Sequence, residues 1–471
     1  MTAPPRSNRN IALGAMSERG GGAGQLKDYR QVADEVAARI AEGLLRPGDR
    51  LPPQRRFARQ HGVAVSTAAR VYRELARRGL TVGEVGRGTF VRAADGAGAA
   101  PALSEPPDRP VNLELNYPAV PEQAALLGEA LAGLLRPDVL DSALRPVGAA
   151  GTGAARGAVA ELLARGGWRP RPERVLFTGN GKQALSAVVA ALVPAGGRLG
   201  AEELTYPVLK SLAGRLGVTV VPLAMDAEGV RPDAVEAAHR GGPLHAVYVQ
   251  PVLHNPLSLT MPAGRRAELA EAVRRCDIPV IEDAIWSFLY GDGGDPQVCA
   301  PFAAVAPERT VLVDSLSKRL APGLTAGFAV APEGPAPKVE AAIRSGGWGP
   351  SRFALEAAVR WQSDGTVGTL VRAKRREAER RQELVRRLLD GFVVRTDPRS
   401  CFCWWELPDG WRTDLFVAAA ARRGIAVTPG AAFAADARRA PNAVRLGLAS
   451  PPPGELERAL GVLAELAREG A

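Results

Sequence analysis

Cysteine is scarce: the chain has four in 471 residues, too few for a disulfide framework. Cys401 and Cys403 form a lone C-x-C flanked by Phe402, Trp404 and Trp405, and no nearby cluster of His or Cys completes a zinc site. These thiols are expected to pack as small hydrophobes, and no metal site is expected. Long hydrophobic runs are missing too. No stretch of roughly 18 uncharged apolar residues occurs, the length a membrane-spanning helix needs. The opening MTAPPRSNRN has no apolar core of the signal-peptide kind, so a cytoplasmic protein is expected, and no amphipathic anchor points to a membrane surface.

What is present is a long chain of ordinary globular composition, 46% hydrophobic, and 471 residues exceed one core, so two or three structural units are expected. Charge is unevenly spread. Residues Lys27 to Arg92 hold 14 Lys and Arg against 7 Asp and Glu, a net of +7, while the whole chain carries +10. Residues 1 to 26 supply +2, which leaves about +1 for everything after Arg92. A compact basic module on a nearly neutral body implies a polyanion partner for the module alone.

Residues 1–24, rich in Pro, Ser, Arg and Gly, read as a disordered arm. Over residues 25–92 three helices and a hairpin follow. Val32, Val36, Ile40 and Leu44 recur at helical spacing; LPPQRRFARQHG makes a short second helix; VSTAARVYRELARRG makes a third, with Ser66 or Thr67 as its expected N-cap. LTVGEV and GTFV, separated by Gly86-Arg87-Gly88, read as a hairpin. Residues 93–110, AADGAGAAPALSEPPDRP, have nothing to bury and read as a linker. From Val111 to the end a body begins, in which VLFT, VTVVPL, AVYVQP, PVIED, TVLVD and GFAVAP alternate with longer helical stretches. That alternation predicts an α/β fold with a mostly parallel sheet, and ligands outside the carboxyl ends of its strands.

The head has the layout of a winged helix-turn-helix. Its G-D-R-L-P-P-x-R from Gly48 to Arg55, its Tyr72-x-x-Leu75 and Arg78-Gly79-Leu80, and its Gly86-Arg87-Gly88-Thr89-Phe90-Val91 resemble the DNA-binding domain of GntR-type bacterial regulators. The resemblance implies a recognition helix from Val65 to Arg78 in the major groove and a wing in the adjacent groove. It makes Arg55, Ser66, Thr67, Arg70, Arg87, Gly88 and Thr89 the DNA-contact candidates. Ala64-Val65 stands where relatives often have polar or basic residues.

Several motifs fall at strand ends of the body. In TGNGKQAL, Gly179 and Gly181 at a helix start expose backbone N–H groups suited to a phosphate, although a plain strand-to-helix turn would look the same. Tyr206 follows a strand, placed either to stack on a cofactor ring or simply to pack. Asn255 precedes Pro256, as a fixed donor or an ordinary turn opener. Glu282-Asp283 closes an apolar strand, and Ser315-Leu316-Ser317-Lys318 closes the next. Pyridoxal phosphate needs a helix N-terminus and hydroxyls for its phosphate, a donor for its ring oxygen, a carboxylate for its pyridine nitrogen and a lysine for its aldehyde. The motifs occur in that order.

Residues 111–471 resemble fold-type I aminotransferases, and H-N-P at 254–256, E-D at 282–283 and S-L-S-K-R-L-A-P-G-L at 315–324 resemble the MocR group of GntR regulators in particular. The resemblance implies that Lys318 is the Schiff-base lysine, Asp283 the pyridinium partner and Asn255 the ring-oxygen donor. It makes Asn180, Gly181, Lys182, Ser315 and Ser317 the phosphate cradle, and places Tyr206 at the cofactor. Arg445, in Asn442-Ala443-Val444-Arg445-Leu446, takes the ligand's α-carboxylate. Two positions depart from the pattern: Thr325 stands where relatives have a phosphate-binding arginine, and Trp286 where they have a tyrosine on the ring oxygen. Lys182 or Arg319 is available by charge to replace the arginine. The function implied is a transcriptional regulator, a homodimer with or without domain swapping, that binds DNA and senses an amino compound by aldimine exchange at Lys318. The alternatives are an active aminotransferase carrying a DNA-binding head, and a regulator whose body has lost the cofactor.

Overall fold

The computed structural model describes residues 28–41, 44–45, 49–78, 80–84, 88–91, 111–291 and 300–470. The expected arm and linker, Arg87 and the tip of the hairpin lie outside them. The chain divides into two compact units, Met1–Gly98 and Ala99–Ala471.

The first unit combines helices α1 (Tyr29–Ala41), α2 (Gln54–His61) and α3 (Val65–Arg77) with a three-stranded antiparallel sheet whose first strand lies between α1 and α2. Its strands β1 (Arg50–Leu51), β2 (Thr81–Glu84) and β3 (Gly88–Val91) run in the order β1-β3-β2. Of the periodic apolar residues Val32 and Val36 are buried and Ile40 is half-buried, but Leu44 lies beyond the end of α1 and is 59% exposed; Ala68, Val71 and Leu75 are buried together with Phe57. Tyr72 packs edge-on against the Phe57 ring, centroids 5.1 Å apart, and its hydroxyl donates to the Pro52 carbonyl. Gly62 ends α2 in the left-handed region at φ 64°, as the sequence predicts. The N-cap of α3 is a correction. Ala64, which has no capping side chain, holds that position instead of Ser66 or Thr67.

The second unit is built on a seven-stranded sheet. In chain order its strands are β4 (Val175–Thr178), β5 (Arg198–Glu202), β6 (Thr219–Leu223), β7 (Ala246–Val249), β8 (Val280–Asp283), β9 (Thr310–Ser315) and β10 (Gly327–Val330). They lie in the order β4-β10-β9-β8-β7-β5-β6, and all are parallel except β10, which runs antiparallel to both neighbours. Strands β4, β7, β8, β9 and β10 are buried along their whole length. This is why they read as unbroken apolar runs and not as alternating ones. Helix α4 (Gly181–Leu192) follows β4, and the single turn α5 (Leu316–Arg319) follows β9.

A smaller four-stranded antiparallel sheet completes the unit: β11 (Val393–Arg395), β12 (Phe402–Glu406), β13 (Thr428–Pro429) and β14 (Ala443–Gly447) in the order β11-β12-β14-β13. Helices α6 (Thr366–Leu388) and α7 (Pro453–Glu469) contribute Val385, Leu456, Leu460 and Leu463 to its core. Val111–Asn112 pairs in parallel with Ile425–Ala426, and the Gly447 amide donates to the Leu113 carbonyl, so the start of the unit is stitched to this sheet. Cys401 and Cys403 are buried, 2% and 0% exposed, and burial pushes both thiols up to about 12. No helix among the described residues is long and apolar enough to cross a membrane.

Candidate cofactor site and nucleic-acid interface

The strand register assembles the site. Gly327, at the start of β10, pairs with Thr178 on one side and Ser315 on the other, so the ends of β4 and β9 lie abreast. A Cβ on Gly327 would fall 2.2 Å from the Asn180 carbonyl carbon and oxygen, and one on Gly181 would meet Ser315 Oγ at 3.0 Å. Glycine at both positions is what lets the turn after β4 close onto the turn after β9. Asn180 caps α4, its Oδ1 accepting from the Gln183 amide at 3.0 Å. Ser315 caps α5 and donates to Ser317 Oγ at 3.1 Å, and Ser317 Oγ lies 2.9 Å from Thr325 Oγ1. The result is a compact cluster of hydroxyls and helix-start amides.

Lys318 emerges from that turn. Its Nζ donates to the Asn116 carbonyl at 2.6 Å and sits 3.8 Å from the centre of the Tyr117 ring and 5.3 Å from that of Trp286. Burial, together with the cation of Arg445, brings the amine down to about 7. Lys374, itself buried on α6, donates to the carbonyls of Lys318 at 3.1 Å and Leu320 at 2.5 Å. It ties down the end of α5.

Asp283 ends β8 with its carboxylate 8% exposed. The Tyr248 hydroxyl donates to its Oδ2 at 2.7 Å, Gln250 Nε2 donates to the same oxygen at 3.1 Å, and the Ile285 amide donates to Oδ1 at 3.2 Å. Burial raises the carboxyl to about 6, the three donors pulling it back. Gln250 reaches further: its Oε1 accepts from the Asn255 amide at 3.1 Å, and its own amide donates to Glu202 Oε1 at 3.1 Å. Glu202 in turn lies 3.3 Å from His254 Nε2, both residues fully buried. Among the described residues Asn255 Oδ1 is buried with no hydrogen-bond partner.

Arg445 on β14 is 8% exposed, and its Nη2 donates to the Glu114 carbonyl at 2.8 Å and to Thr428 Oγ1 at 3.2 Å. Its Nε is buried without a hydrogen-bond partner among the described residues, and burial lowers the guanidinium to about 10. Tyr206 is the N-cap of the helix Pro207–Arg215, half-buried, its hydroxyl raised far above the ordinary tyrosine range by burial and the charge of Asp283. Lys182 is exposed in the first turn of α4. Arg319 does not substitute for the missing arginine: its Nη1 donates to Asp314 Oδ2 at 2.5 Å, and both side chains are buried.

On the head, Arg55 is exposed at the start of α2, Ser66 and Arg70 are exposed on α3, and Thr67 is half-buried there. The Arg70 guanidinium stands 5.5 Å from the centre of the Tyr29 ring. Gly88 begins β3, and Thr89 is half-buried on it. Arg73, also exposed, shares the outer side of α3 with Ser66 and Arg70; the seven-residue step from Ser66 is the signal that could have found it.

The aminotransferase class I and II family model matches residues 145–463, and the model for bacterial regulatory proteins of the gntR family matches residues 28–91. The chain belongs to the aminotransferase class I and II family. Its gntR-type head in front of that body is the arrangement of the MocR group of GntR regulators. An uncharacterized HTH-type transcriptional regulator of Bacillus subtilis, YdeF, is 29% identical over 93% of this chain and 94% of its own length. The probable rhizopine catabolism regulatory protein MocR of Rhizobium meliloti is 27% identical over 76% of each. Among solved structures, an archaeal alanine:glyoxylate aminotransferase superposes with a TM-score of 0.69 over 76% of this chain and 91% of that one, at 23% identity. That likeness shows the fold of the MocR-type body.

Proposed function

We propose that this chain is a DNA-binding transcriptional regulator whose body holds pyridoxal phosphate and uses it to sense a small amino compound. In this reading residues 1–24 are an arm, 25–92 the DNA-binding head, 93–110 a linker and 111–471 the sensing and dimerising body of a cytoplasmic homodimer. The observation that carries it is the meeting, at the carboxyl edge of one sheet, of an amine near neutrality, a buried carboxylate and a hydroxyl-lined turn.

The residues fit the cofactor. Among the described residues Arg445 Nε is a buried donor without a hydrogen-bond partner, an arrangement that costs stability unless a ligand completes it. Gly181 and Ser315 form a close turn that a Cβ would fill. Pyridoxal phosphate, when bound, supplies an aldehyde open to amines and an electron-withdrawing ring. Lys318 is the residue that would hold it covalently, since near pH 7 about half of its amine is neutral. Asp283, ionised at pH 7, would accept from the ring nitrogen, and its three donors keep it oriented. Asn180, Gly181, Lys182, Ser315 and Ser317 would hold the phosphate, Asn255 the ring oxygen, and Tyr206 would border the ring. Arg445 would bind the carboxylate of an amino acid through its unpartnered Nε. On the head, Arg55, Ser66, Thr67, Arg70, Arg87, Gly88 and Thr89 would meet DNA.

The retention of Lys318, Asp283, Asn255 and Arg445 together also favours a second reading, in which the body completes transamination. The two separate in one assay series. Pyridoxal phosphate added to the full chain, followed by reduction with borohydride and removal of unbound cofactor under denaturing conditions, should leave a near-ultraviolet absorption band on the protein that Lys318→Ala abolishes. Its absence in the wild-type protein would remove the cofactor from the proposal. Conversion of an added keto acid to its amino acid through repeated cycles would establish the enzyme reading instead.

A further inference from the structure

Helix α3 begins against its own stability. Ala64 holds the N-cap without a side-chain hydrogen bond to the first turn, whereas Thr152, Asn180, Ser315 and Ser351 all accept one at helix starts in the body. Alanine is among the poorest N-cap residues. Val65 follows, β-branched and 49% exposed; it gains little from burial and loses side-chain freedom in the helix. Ser66 and Thr67, both good caps, stand directly behind it unused for that purpose. Local rules broken at the exposed end of a well-packed helix point to function.

The surroundings say which function. Ala68, Val71, Tyr72 and Leu75 face the core of the head, while Val65, Ser66, Arg70 and Arg73 are exposed. In a helix-turn-helix the N-terminal residues of this helix are the ones that contact base edges. Ser66, Arg70 and Arg73 suit phosphates and hydrogen-bonding groups. An isopropyl group suits neither. Among the base edges of the major groove one apolar group stands out, the 5-methyl of thymine, which small apolar side chains contact.

We propose that Val65 reads thymine through its 5-methyl group and so fixes the identity of one base pair in the bound site. This rests on the DNA-binding reading above. The test starts from duplexes that the full-length protein selects out of random DNA, resynthesised with deoxyuridine replacing thymidine one position at a time. At one position the loss of the methyl should weaken wild-type binding about three- to fivefold, the value of one buried methyl group. Val65→Ala, at an exposed position where alanine favours the helix, should bind thymine and uracil duplexes equally at that position and keep the wild-type salt dependence. Wild-type indifference to every replacement overturns the inference, as does undiminished discrimination by Val65→Ala. If no duplex is selected at all, the DNA-binding reading itself falls.

Discussion

The head and the body solve recognition in opposite ways. On the head, the candidate contacts Arg55, Ser66 and Arg70 are exposed, and a small core of Val32, Phe57, Val71 and Leu75 does no more than hold their helices. In the body, the candidate groups other than Lys182 are buried or half-buried, and hydrogen bonds tie several of them together: Asp283 takes three donors, and Gln250 contacts Asp283, Asn255 and Glu202. Exposed charges act nearly independently, each contributing a little and yielding to salt. Buried polar groups act as a unit, because one lost partner leaves another unsatisfied in a place water does not reach. Substitutions in the head should therefore have graded effects, and those in the body should be severe.

The sharpest test of that contrast is Gly327→Ala. The new Cβ would meet backbone atoms of Asn180 at 2.2 Å, and backbone cannot rotate away, so the body should lose about 3 kcal/mol of stability. Calorimetry of the full chain should show the body's transition lowered and the head's unchanged. Asp283→Asn keeps the shape but removes the charge, and equilibrium dialysis of pyridoxal phosphate should show retention weakened about tenfold or more. A loss under twofold would break the contrast. The pH dependence of attachment follows from Lys318. Its neutral form is the nucleophile and its amine lies near 7, so the attachment rate should rise as pH increases through 7 and level off above. Below that point each pH unit should cost about tenfold, and stopped-flow absorbance would show it. The smallest effect belongs to the head. Arg55→Ala should weaken DNA binding severalfold and reduce the slope of log affinity against log salt by about 1; a collapse of all binding would show that the head too works as a unit.

Much of this was legible in sequence because it is local. A gntR-type head could be read from short motifs, and strands buried on both faces announce themselves as apolar runs. Lys318, Asp283 and Asn255 could be read because each ends or follows such a run. What escaped is what depends on distant partners. Asn116 and Lys318 lie 202 residues apart, and neither sequence neighbourhood names the other. Gln250 looks like an ordinary strand-end polar residue until the register sets it beside Asp283 and Asn255. The strand expected before Tyr206, Arg198–Glu202, does not stand out as an apolar run, because RLGAE has no β-branched or aromatic residue; Gly200 is packed closely by Leu223, Leu244 and Val247 instead. Arg319 looked available to a phosphate, yet its partner Asp314 lies five residues upstream and takes it. Capping was misjudged for a related reason: the sequence offers Ser66 and Thr67, and the helix starts before them.

One small piece of backbone serves two groups of the site at once. Residues 114 to 117 lie near the start of the body, and two of their carbonyls moor two of its cations, Arg445 on that of Glu114 and Lys318 on that of Asn116. The moorings are carbonyls, so a change of side chain at 114 or 116 leaves the acceptors in place. A change in what either cation holds therefore bears on the same short run of backbone. In wiring terms, the two cations share a terminal.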